Sequence, residues 1–564
     1  MMNKYTKNQI TFLKNKQYLK SGESLPERIK SISEHIGEYA HNYSDGLAAR
    51  MNNYVTEQIH CPSTPEIANL GRETVEGFPC SCNIITVPNS IAGIFNSIAE
   101  TAMLSKNCAG VGLNFSALPD KDTFLDEGFY SNSKLDWAEM AVDAATKVSQ
   151  SALRRGYAVP FFSADDVEAE DILKRCHKNN PNKNDPLLDN NIGFILPTGF
   201  RKRMKEGDRK AKSVFVKILK ERLGSGKVYL LDEENCNKNT SPVYEKLGHV
   251  VQSTNICTEV LTPHYDDKTF ACIIYSLNLN NWDEMKANPQ IIKDAFYIAD
   301  IIVQIYIDQT EGVPFMEKAR RSAIEKRDIG IGTLGFHDYL QSKGVVWGSL
   351  ESRRINKEIY STIRKYGEEA TREMAERLGS PKMCQEAGLI RRNVSLMMVA
   401  PNKSTSFIFG GKSGRSLGIE PQLSNYFIKD LAGIQVVNKN LFLEKTLQDL
   451  DKDTNEVWDD IAANLGSVQH LDFLDEHTKK VFKTASEISP KDIIDLAADR
   501  QVYIDMSQSL NLFNRPNYSL QDVINIHLYA FENGIKTLYY YYPQIHAALE
   551  QDGGNWDTCE SCAD

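Results

Sequence analysis

The run FACIIYSLNL (270–279) is a stretch of strand length without a charged residue. Similar apolar runs recur along the chain between longer amphipathic stretches; they are CNIITV (82–87), KVYLLD (227–232) and NVSLMMVA (393–400). Buried apolar strands that alternate with helices are typical of a largely parallel sheet covered by helices. The sequence therefore predicts an α/β fold, and the lack of internal repeats favours one large unit.

The bulk composition narrows the class of protein. The chain has 564 residues, 41% of them hydrophobic, which is enough for a large buried core. A net charge of -10 argues against a general nucleic-acid binder. The sequence shows neither the roughly 20 consecutive apolar residues of a membrane span nor the apolar core of a signal peptide. We therefore expect a cytoplasmic protein without nucleic-acid or membrane partners, whose eleven cysteines are reduced.

Three regions are predicted. Residues 1–75 are polar with apolar residues at helical spacing, and residues 76–542 hold the alternating strands and helices. Residues 543–564 contain Gly553-Gly554 and are expected to form a flexible tail. Within the second region, residues 200–222 predict one basic amphipathic helix with a solvated face.

The tail carries a CxxC pair, Cys559 and Cys562. A structural cysteine is normally buried, and a polar flexible tail cannot bury one. Zinc would need two further ligands, and no second CxxC or histidine pair lies nearby in the sequence. A redox-active dithiol on a mobile arm is the favoured interpretation, and it requires an oxidised site elsewhere in the protein.

The segment NICTEV (255–260) is a candidate for that site. Asn255, Cys257 and Glu259 alternate, so on an extended segment they would share one face and point into one cavity. The alternative is an edge strand with one packed cysteine and two solvated polar residues, and the motif alone does not decide between them. Cys82 and Cys272 lie in apolar runs, where a single cysteine is usually only packed.

Six motifs in order resemble those of ribonucleotide reductase catalytic subunits, most closely class I. They are SCNII (81–85), NICTE (255–259), FACIIYSLNL, RDIGIGTLGFHDYL (327–340), NGIKTLYYYY (533–542) and CESC (559–562). The resemblance covers roughly residues 60–564. It implies a ten-stranded α/β barrel with a central finger loop that carries the radical cysteine, preceded by a small helical N-terminal region. It also implies reduction of ribonucleoside diphosphates or triphosphates to 2′-deoxyribonucleotides for DNA precursor synthesis.

The resemblance assigns the catalytic roles. Cys257 matches the cysteine whose thiyl radical abstracts the ribose 3′ hydrogen. Glu259 matches the carboxylate that takes the 3′-hydroxyl proton, and Asn255 the amide that holds the substrate hydroxyls. Cys82 and Cys272 match the pair that donates two electrons and becomes a disulfide; Cys82 is preferred to its neighbour Cys80 because it follows Ser81 in the family's Ser-Cys pattern.

Electron and radical supply follow from the same resemblance. Cys559 and Cys562 would reduce the internal disulfide and be reduced in turn by thioredoxin or glutaredoxin. Tyr539 and Tyr540 match the adjacent tyrosines that relay the radical, whereas Tyr541 and Tyr542 have no assigned role. The radical would come from the metal or radical cofactor of a ferritin-like small subunit, so this chain is expected to bind no cofactor or metal itself.

Substrate and effector contacts are also implied. The phosphate loop would be PNKSTS (401–406), in which Pro401, Asn402, Lys403, Ser404 and Thr405 contact substrate, and Lys403 stands where the family usually has an acidic residue. Further substrate contacts would come from Thr64, Ser81 and Gly110. Asn89 and Ser90 of PNSIAGI (88–94), with the loop SQSALRRGYA (149–158), resemble a site for dNTP or ATP effectors at a homodimer interface. The matching body begins within the first few dozen residues, so we expect no N-terminal ATP cone.

Other functions stay open at this point. An adenosylcobalamin-dependent class II reductase would share Cys257, Glu259 and the thiol pairs, but the tyrosine pair favours class I, and a need for cobalamin or for a second protein discriminates them. A glycyl-radical reductase lacks support, since no glycyl-radical motif lies near the C-terminus. A non-catalytic nucleotide-binding regulator would not need Cys257, Glu259 and both thiol pairs, and a thioredoxin-like or zinc redox protein would rest on the CxxC alone.

Overall fold

The computed structural model describes residues 5–72, 77–80, 82–124, 130–148, 156–177, 179–188, 190–410, 418–431 and 434–542. Ser81, Cys559, Cys562 and residues 149–155 of the expected effector loop lie outside the described residues. The strands are β1 (His60–Pro62), β2 (Cys82–Thr86), β3 (Gly110–Asn114), β4 (Tyr157–Ser163), β5 (Ile192–Leu196), β6 (Val228–Asp232), β7 (Val251–Thr254), β8 (Leu261–Pro263), β9 (Phe270–Asn278), β10 (Ile329–Leu334), β11 (Tyr426–Leu431), β12 (Ile434–Lys439), β13 (Leu512–Phe513), β14 (Thr537–Leu538) and β15 (Tyr541–Tyr542).

Helices surround the strands. They are α1 (Lys7–Asn15), α2 (Leu25–Ala40), α3 (Leu47–Thr56), α4 (Thr64–Asn69), α5 (Ile91–Lys106), α6 (Lys134–Val148), α7 (Ala169–Cys176), α8 (Phe200–Glu206), α9 (Arg209–Ser225), α10 (Glu233–Cys236), α11 (Pro242–Leu247), α12 (Trp282–Ala287), α13 (Gln290–Gln309), α14 (Glu317–Lys326), α15 (Phe336–Ser342), α16 (Leu350–Leu378), α17 (Lys382–Glu386), α18 (Lys403–Phe409), α19 (Leu441–Asp449), α20 (Asn455–Ala463), α21 (Glu476–Val481), α22 (Pro490–Gln501) and α23 (Leu520–Glu532). Measured over the described residues, none of them combines the length and apolarity needed to cross a membrane.

The main sheet closes into a ring. Strands β2 to β6 pair in sequence order and run parallel, β9 lies antiparallel to β2, and β14 lies antiparallel to β6. Beyond β10, which pairs with β9, the ring continues through single parallel bridges from Ile331 to Met397 and from Val399 to Gln508. It closes next to β14, where the amide of Tyr539 donates to the carbonyl of Leu510 at 2.9 Å. The expected ten-stranded α/β barrel is confirmed, with two of its ten positions held by bridges alone.

One of those two positions is the run 393–400, which the sequence predicts as a regular strand. The backbone amides of Leu396 and Met397 donate to the carboxylate of Asp505 at 2.9 and 2.8 Å. A side chain therefore takes the place of a neighbouring strand, and the prediction of a regular strand is wrong here. Burial of the run was predicted correctly, since its residues from Val394 to Ala400 are all buried.

A hairpin made of β7 and β8 enters the barrel and forms the finger. Two wall glycines leave room for it. A Cβ on Gly110 would lie 2.2 Å from Ile256 Cδ1, and a Cβ on Gly112 would lie 2.2 Å from the carbonyl oxygen of Thr254. Real side chains do not approach so closely, so only glycine allows the finger to lie against β3.

Two boundaries differ from those predicted. The single helix expected over residues 200–222 is two helices, because Gly207 at φ +104° ends α8 and the side chain of Asp208 caps α9 through the amides of Lys210 and Ala211. The N-terminal region is helical as expected, yet it also contributes β1, which pairs antiparallel with β9. That strand joins the region to the barrel wall.

Candidate active site

The tip of the finger, residues 255–260, is a turn rather than an extended strand. Thr258 adopts φ 67°, and the Asn255 side chain spans the turn. Its Nδ2 donates to Glu259 Oε1 at 3.0 Å, and its Oδ1 accepts from the amide of Val260 at 3.1 Å. Asn255, Cys257 and Glu259 do converge, but the alternating geometry expected from the sequence is wrong, because a local turn brings them together.

Groups from distant parts of the chain hold the tip in place. Ser509 Oγ donates to the carbonyl of Cys257 at 2.6 Å and lies 3.0 Å from Glu259 Oε2. Thr537 Oγ1 donates to the carbonyl of Thr258 at 2.8 Å. The backbone amide of Ser507 donates to the carbonyl of Glu259, also at 2.8 Å. These bonds satisfy the buried backbone of the turn and fix its position.

Three supporting residues, Ser507, Ser509 and Thr537, were not predicted from the sequence. Ser507 and Ser509 lie in the buried segment DMSQSLNLF (505–513), and Thr537 lies on β14. The role of each depends on which part of the finger it meets after folding, so no local pattern could have indicated it.

Glu259 is fully enclosed by the barrel. Burial raises its pKa to about 7, although hydrogen bonds from Asn255 and Ser509 partly stabilise the charged form. A carboxyl group with a pKa near neutrality can accept a proton and release it again under physiological conditions. The site therefore holds a proton-transfer group within two residues of the Cys257 thiol.

The structure places Cys82 and Cys272 directly opposite each other on β2 and β9. Both belong to a buried cluster that includes Val260 of the finger and Met398, and the Asn255 amide donates to Cys82 Sγ at 3.1 Å. Burial raises the pKa of Cys272 well above its ordinary value, so this thiol stays protonated at rest. The two cysteines are therefore buried beside Asn255 and Val260 of the finger.

Cys80 occupies a different environment. Its Sγ donates to the carbonyl oxygens of Cys272 at 3.3 Å and Cys82 at 3.5 Å, and its side chain packs in the main hydrophobic core. The cluster that holds Cys82 and Cys272 does not include it. The choice of Cys82 rather than Cys80 as the redox partner of Cys272 stays a prediction.

Tyrosine rings lead from the finger towards the outside of the barrel. Tyr539 OH lies 3.6 Å from Cys257 Sγ, and its ring centroid lies 4.3 Å from that of Tyr540. The ring centroid of Tyr229, on β6, lies 4.8 Å from that of Tyr539 and 5.3 Å from that of Tyr540. The sequence predicts Tyr229 only as part of a buried strand. Burial raises the pKa of Tyr539 well above its ordinary value, so the phenol keeps its proton.

The expected phosphate loop lies beside these tyrosines. Asn402, at φ 54°, precedes α18; its side chain accepts from Ser276 Oγ and donates to the carbonyl of Thr333, both at 3.0 Å. Pro401, Ser404 and Thr405 are buried around the start of the helix. Lys403 Nζ lies 5.1 Å above the Tyr540 ring and 3.3 Å from Tyr542 OH. The first amides of the helix have no acceptors within it, as a phosphate site requires.

The other residues predicted to contact substrate or effector lie on different elements. Thr64 is buried at the start of α4, and Gly110 pairs with Cys82 in the register of β2 and β3. Asn89 and Ser90 are exposed beyond β2, where Ser90 Oγ accepts from the amide of Gly93 at 3.0 Å and caps α5. Within the described residues, no group of three or more His, Cys, Asp or Glu side chains is arranged to hold a metal ion.

A closed α/β barrel with one thiol on an internal finger and a pair of thiols on its wall defines the class of barrel enzymes that carry out thiol redox chemistry. The family model "Ribonucleotide reductase, barrel domain" matches residues 80–210, 203–387 and 381–541. The chain belongs to the ribonucleotide reductase family, as a large catalytic subunit that converts ribonucleotides to 2′-deoxyribonucleotides.

Named relatives agree with this assignment. The ribonucleoside-diphosphate reductase large subunit of Invertebrate iridescent virus 3 is 29% identical, over 93% of this chain and 91% of that protein. The putative large subunit of Frog virus 3 is 27% identical, over 89% of this chain and 90% of that protein. The structure of the class Id alpha subunit of Actinobacillus ureae is similar with a TM-score of 0.87 and 30% identity, and the match covers 96% of this chain and 97% of that one.

Proposed function

We propose that this subunit reduces ribonucleoside diphosphates by radical chemistry at Cys257. The observation that carries the proposal is the contact of 3.6 Å between Tyr539 OH and Cys257 Sγ inside a sealed barrel. A phenol at that distance can exchange a hydrogen atom with the thiol without exposing either group to water. The diphosphate level is proposed because relatives that cover nearly the whole chain are named ribonucleoside-diphosphate reductases.

The proposed reaction uses the residues of the site in turn. The Cys257 thiyl radical takes the 3′ hydrogen atom, while Glu259 accepts the 3′-hydroxyl proton and Asn255 holds the hydroxyls. The 2′-hydroxyl leaves as water after protonation, and the Cys82 and Cys272 thiols supply two electrons and two protons as they form a disulfide. Glu259 then returns its proton to O3′ and Cys257 returns its hydrogen atom to C3′, so the 3′-hydroxyl and the radical are both regenerated.

Substrate would enter from the side of Pro401 to Thr405, with its phosphates near the start of α18. We place Thr64, Ser81 and Gly110 among the further substrate contacts. Lys403 supplies a positive charge at this edge of the site, because its ammonium group lies above Tyr540 beside the loop. A cation there favours a charged phosphate over a neutral ligand.

The radical is proposed to come from a ferritin-like small subunit, through Tyr540 and Tyr539. The ring centroids of the two tyrosines lie 4.3 Å apart, which supports a relay between them. A class II enzyme would generate its radical from adenosylcobalamin and has no need of such a relay. The likeness to a class Id alpha subunit favours the same choice.

The subunit is also proposed to form a homodimer that binds a nucleotide effector. Helices α5 and α6 expose Ile91 at 62%, Phe95 at 49% and Met140 at 40%, which supports a homodimer formed through this face. Asn89 and Ser90 lie at the start of α5, where a dNTP or ATP effector at the interface could be sensed. The cytoplasmic localisation expected from the sequence stays a prediction.

The test is turnover of a ribonucleoside diphosphate with a class I small subunit and dithiothreitol. Cys257→Ser should lose at least about 1,000-fold in turnover, on the order of 4 kcal/mol in transition-state free energy. Cys384→Ser is the matched control, because Cys384 is equally buried but lies on α17, away from the finger. Activity that survives in Cys257→Ser, or that needs adenosylcobalamin and no second protein, would contradict the proposal.

A further inference from the structure

A buried ion pair lies beside the thiol pair and has no place in the reaction described so far. Lys326 ends α14, and Asp328 directly precedes β10. Lys326 Nζ lies 3.1 Å from Asp328 Oδ2, and each side chain is 1% exposed. Removing two charges from water is costly, so a pair in this position calls for an explanation beyond stability.

The register of the sheet places Asp328 next to Cys272. Ile329 pairs with Ile273 in the parallel strands β10 and β9, so the preceding residue, Asp328, lies across from Cys272. A Cβ on Gly330 would lie 3.5 Å from Cys272 Sγ, which shows that this thiol points to the Gly330 side of β10. Residues two apart share a side on an extended segment, so Asp328 faces the same thiol.

Aromatic rings and a hydroxyl group surround the Lys326 ammonium group. Its Nζ lies 4.3 Å from the ring centroid of Phe270, with Tyr244 and Tyr265 at 5.3 and 5.4 Å, and it donates to Thr262 Oγ1 on β8 at 3.2 Å. Aromatic faces stabilise an ammonium group out of water. The neighbouring Arg327, at φ 48°, turns outward to Asp300 on α13, which leaves Lys326 and Asp328 on the inner side.

We infer that Asp328, balanced by Lys326, is the proton acceptor and donor for the Cys272 thiol. The inference rests on the proposed function for the oxidant, which is the ribonucleotide. When Cys82 and Cys272 form their disulfide, both S–H bonds break, and the two electrons and two protons go to substrate; the Asp328 carboxylate takes the Cys272 proton and passes it on. When a dithiol attacks Cys82 Sγ, the S–S bond breaks, Cys272 leaves as a thiolate, and Asp328 delivers to it the proton that the dithiol gives up.

The direction of the pKa shifts agrees with this role. Burial raises the pKa of Asp328, which helps its carboxylate to accept a proton, and lowers the pKa of Lys326. After burial itself, Asp328 is the group that most raises the pKa of Cys272. Other titratable groups also interact with Lys326, Asp328 or Cys272; they are Lys268, Asp505, Glu259, Cys80, Cys82, Tyr244, Tyr265, His249 and Cys384.

The test measures reduction of the Cys82–Cys272 disulfide in the full-length subunit. Diamide forms the disulfide without the radical partner, so the result does not depend on Cys257 chemistry. Dithiothreitol then reduces it over a range from mildly acidic to mildly alkaline pH, and differential alkylation with peptide mass spectrometry follows both cysteines. Rates are divided by the concentration of dithiothreitol thiolate.

Asp328→Asn should slow reduction at least about tenfold near neutral pH and flatten the normalised pH profile. Lys326→Met should give the same loss, so either variant suffices if the other fails to fold. The control is Asp166→Asn, which breaks the buried Lys134–Asp166 pair elsewhere and should leave the rate within about twofold. Unchanged rates in the folded variants, an equal loss in the control, or failure of diamide to link Cys82 and Cys272 would overturn the proposal. Loss of turnover in Cys257→Ser is independent of all these outcomes.

Discussion

Glu259 shows how burial sets the working pH of a single residue. Its pKa is raised to about 7 by burial, and only the carboxylate can accept the 3′-hydroxyl proton. Turnover should therefore rise with pH through about 7 and level off above it. A kcat profile with saturating substrate and small subunit checks this. Glu259→Gln should lose at least about 100-fold and show no rise near neutrality; a profile unchanged by the substitution would contradict the assignment.

The raised pKa of Glu259 also makes the free energy of unfolding depend on pH. The folded-state pKa lies above the ordinary value of 4.5, so the folded state binds the proton more tightly than the unfolded chain. Its contribution is most favourable below pH 4.5 and is lost as pH rises through about 7. Replacing the carboxylate with an amide at alkaline pH should therefore stabilise the fold, on the order of 3 kcal/mol. Thermal unfolding of Glu259→Gln should show a higher Tm above the folded-state pKa but not at pH 4.5.

Substitutions of Tyr539 and Tyr541 distinguish a role in radical transfer from a role in packing. Both are fully buried, but Tyr539 OH contacts Cys257 Sγ, whereas Tyr541 OH donates to Asn514 Oδ1 at 2.8 Å. Removing the Tyr539 hydroxyl leaves no O–H bond to exchange with the thiol. We expect Tyr539→Phe to abolish turnover while substrate binding is retained, and Tyr541→Phe to keep most activity. Steady-state kinetics and equilibrium binding give the comparison, and equal activity in both variants would exclude the route.

At the scale of elements, the finger can lie against β3 because Gly112 has no side chain. A Cβ on Gly112 would meet the Thr254 carbonyl oxygen at 2.2 Å and the Asn255 Cα at 3.0 Å, both backbone atoms that cannot rotate away. Gly112→Ala should displace the finger, destabilise the fold by about 1–3 kcal/mol and remove activity. Gly224→Ala is the matched control, because nothing lies within 4 Å of its Cβ position. Denaturant unfolding and turnover should separate the two; a fully active Gly112→Ala would contradict the packing argument.

Elements were predictable where burial alone determines them. The apolar runs at 82–87, 227–232 and 270–279 became β2, β6 and β9 within one residue at each end. The run 393–400 and the turn at 255–260 were predicted with the wrong local geometry, because Asp505 replaces a strand partner in the first and Asn255 closes a turn in the second. Periodicity reports which side chains are buried, but it does not report which polar side chain will satisfy a backbone amide.

At the scale of the whole molecule, the site is assembled from segments that are far apart in the chain. The finger tip is held by Ser509 and Thr537, 252 and 279 residues beyond the groups they bind, and the thiol pair joins β2 to β9. Family motifs could indicate the proposed reacting side chains, since each motif carries its own residue. They could not identify the supports or the pair Lys326 and Asp328, whose roles depend only on contacts made after folding.

The closed barrel also determines how electrons must enter. Cys82 is 3% exposed and Cys272 is fully buried, so a folded protein reductant cannot reach their disulfide. We expect a small dithiol to enter instead. A second dithiol in the same chain would solve this problem, and CESC at 559–562, outside the described residues, is the candidate. Cys559→Ser should therefore keep turnover with dithiothreitol and lose it with thioredoxin. The ratio of the two activities is the measurement, and an equal loss with both reductants would exclude the shuttle, because direct damage to the barrel affects both alike.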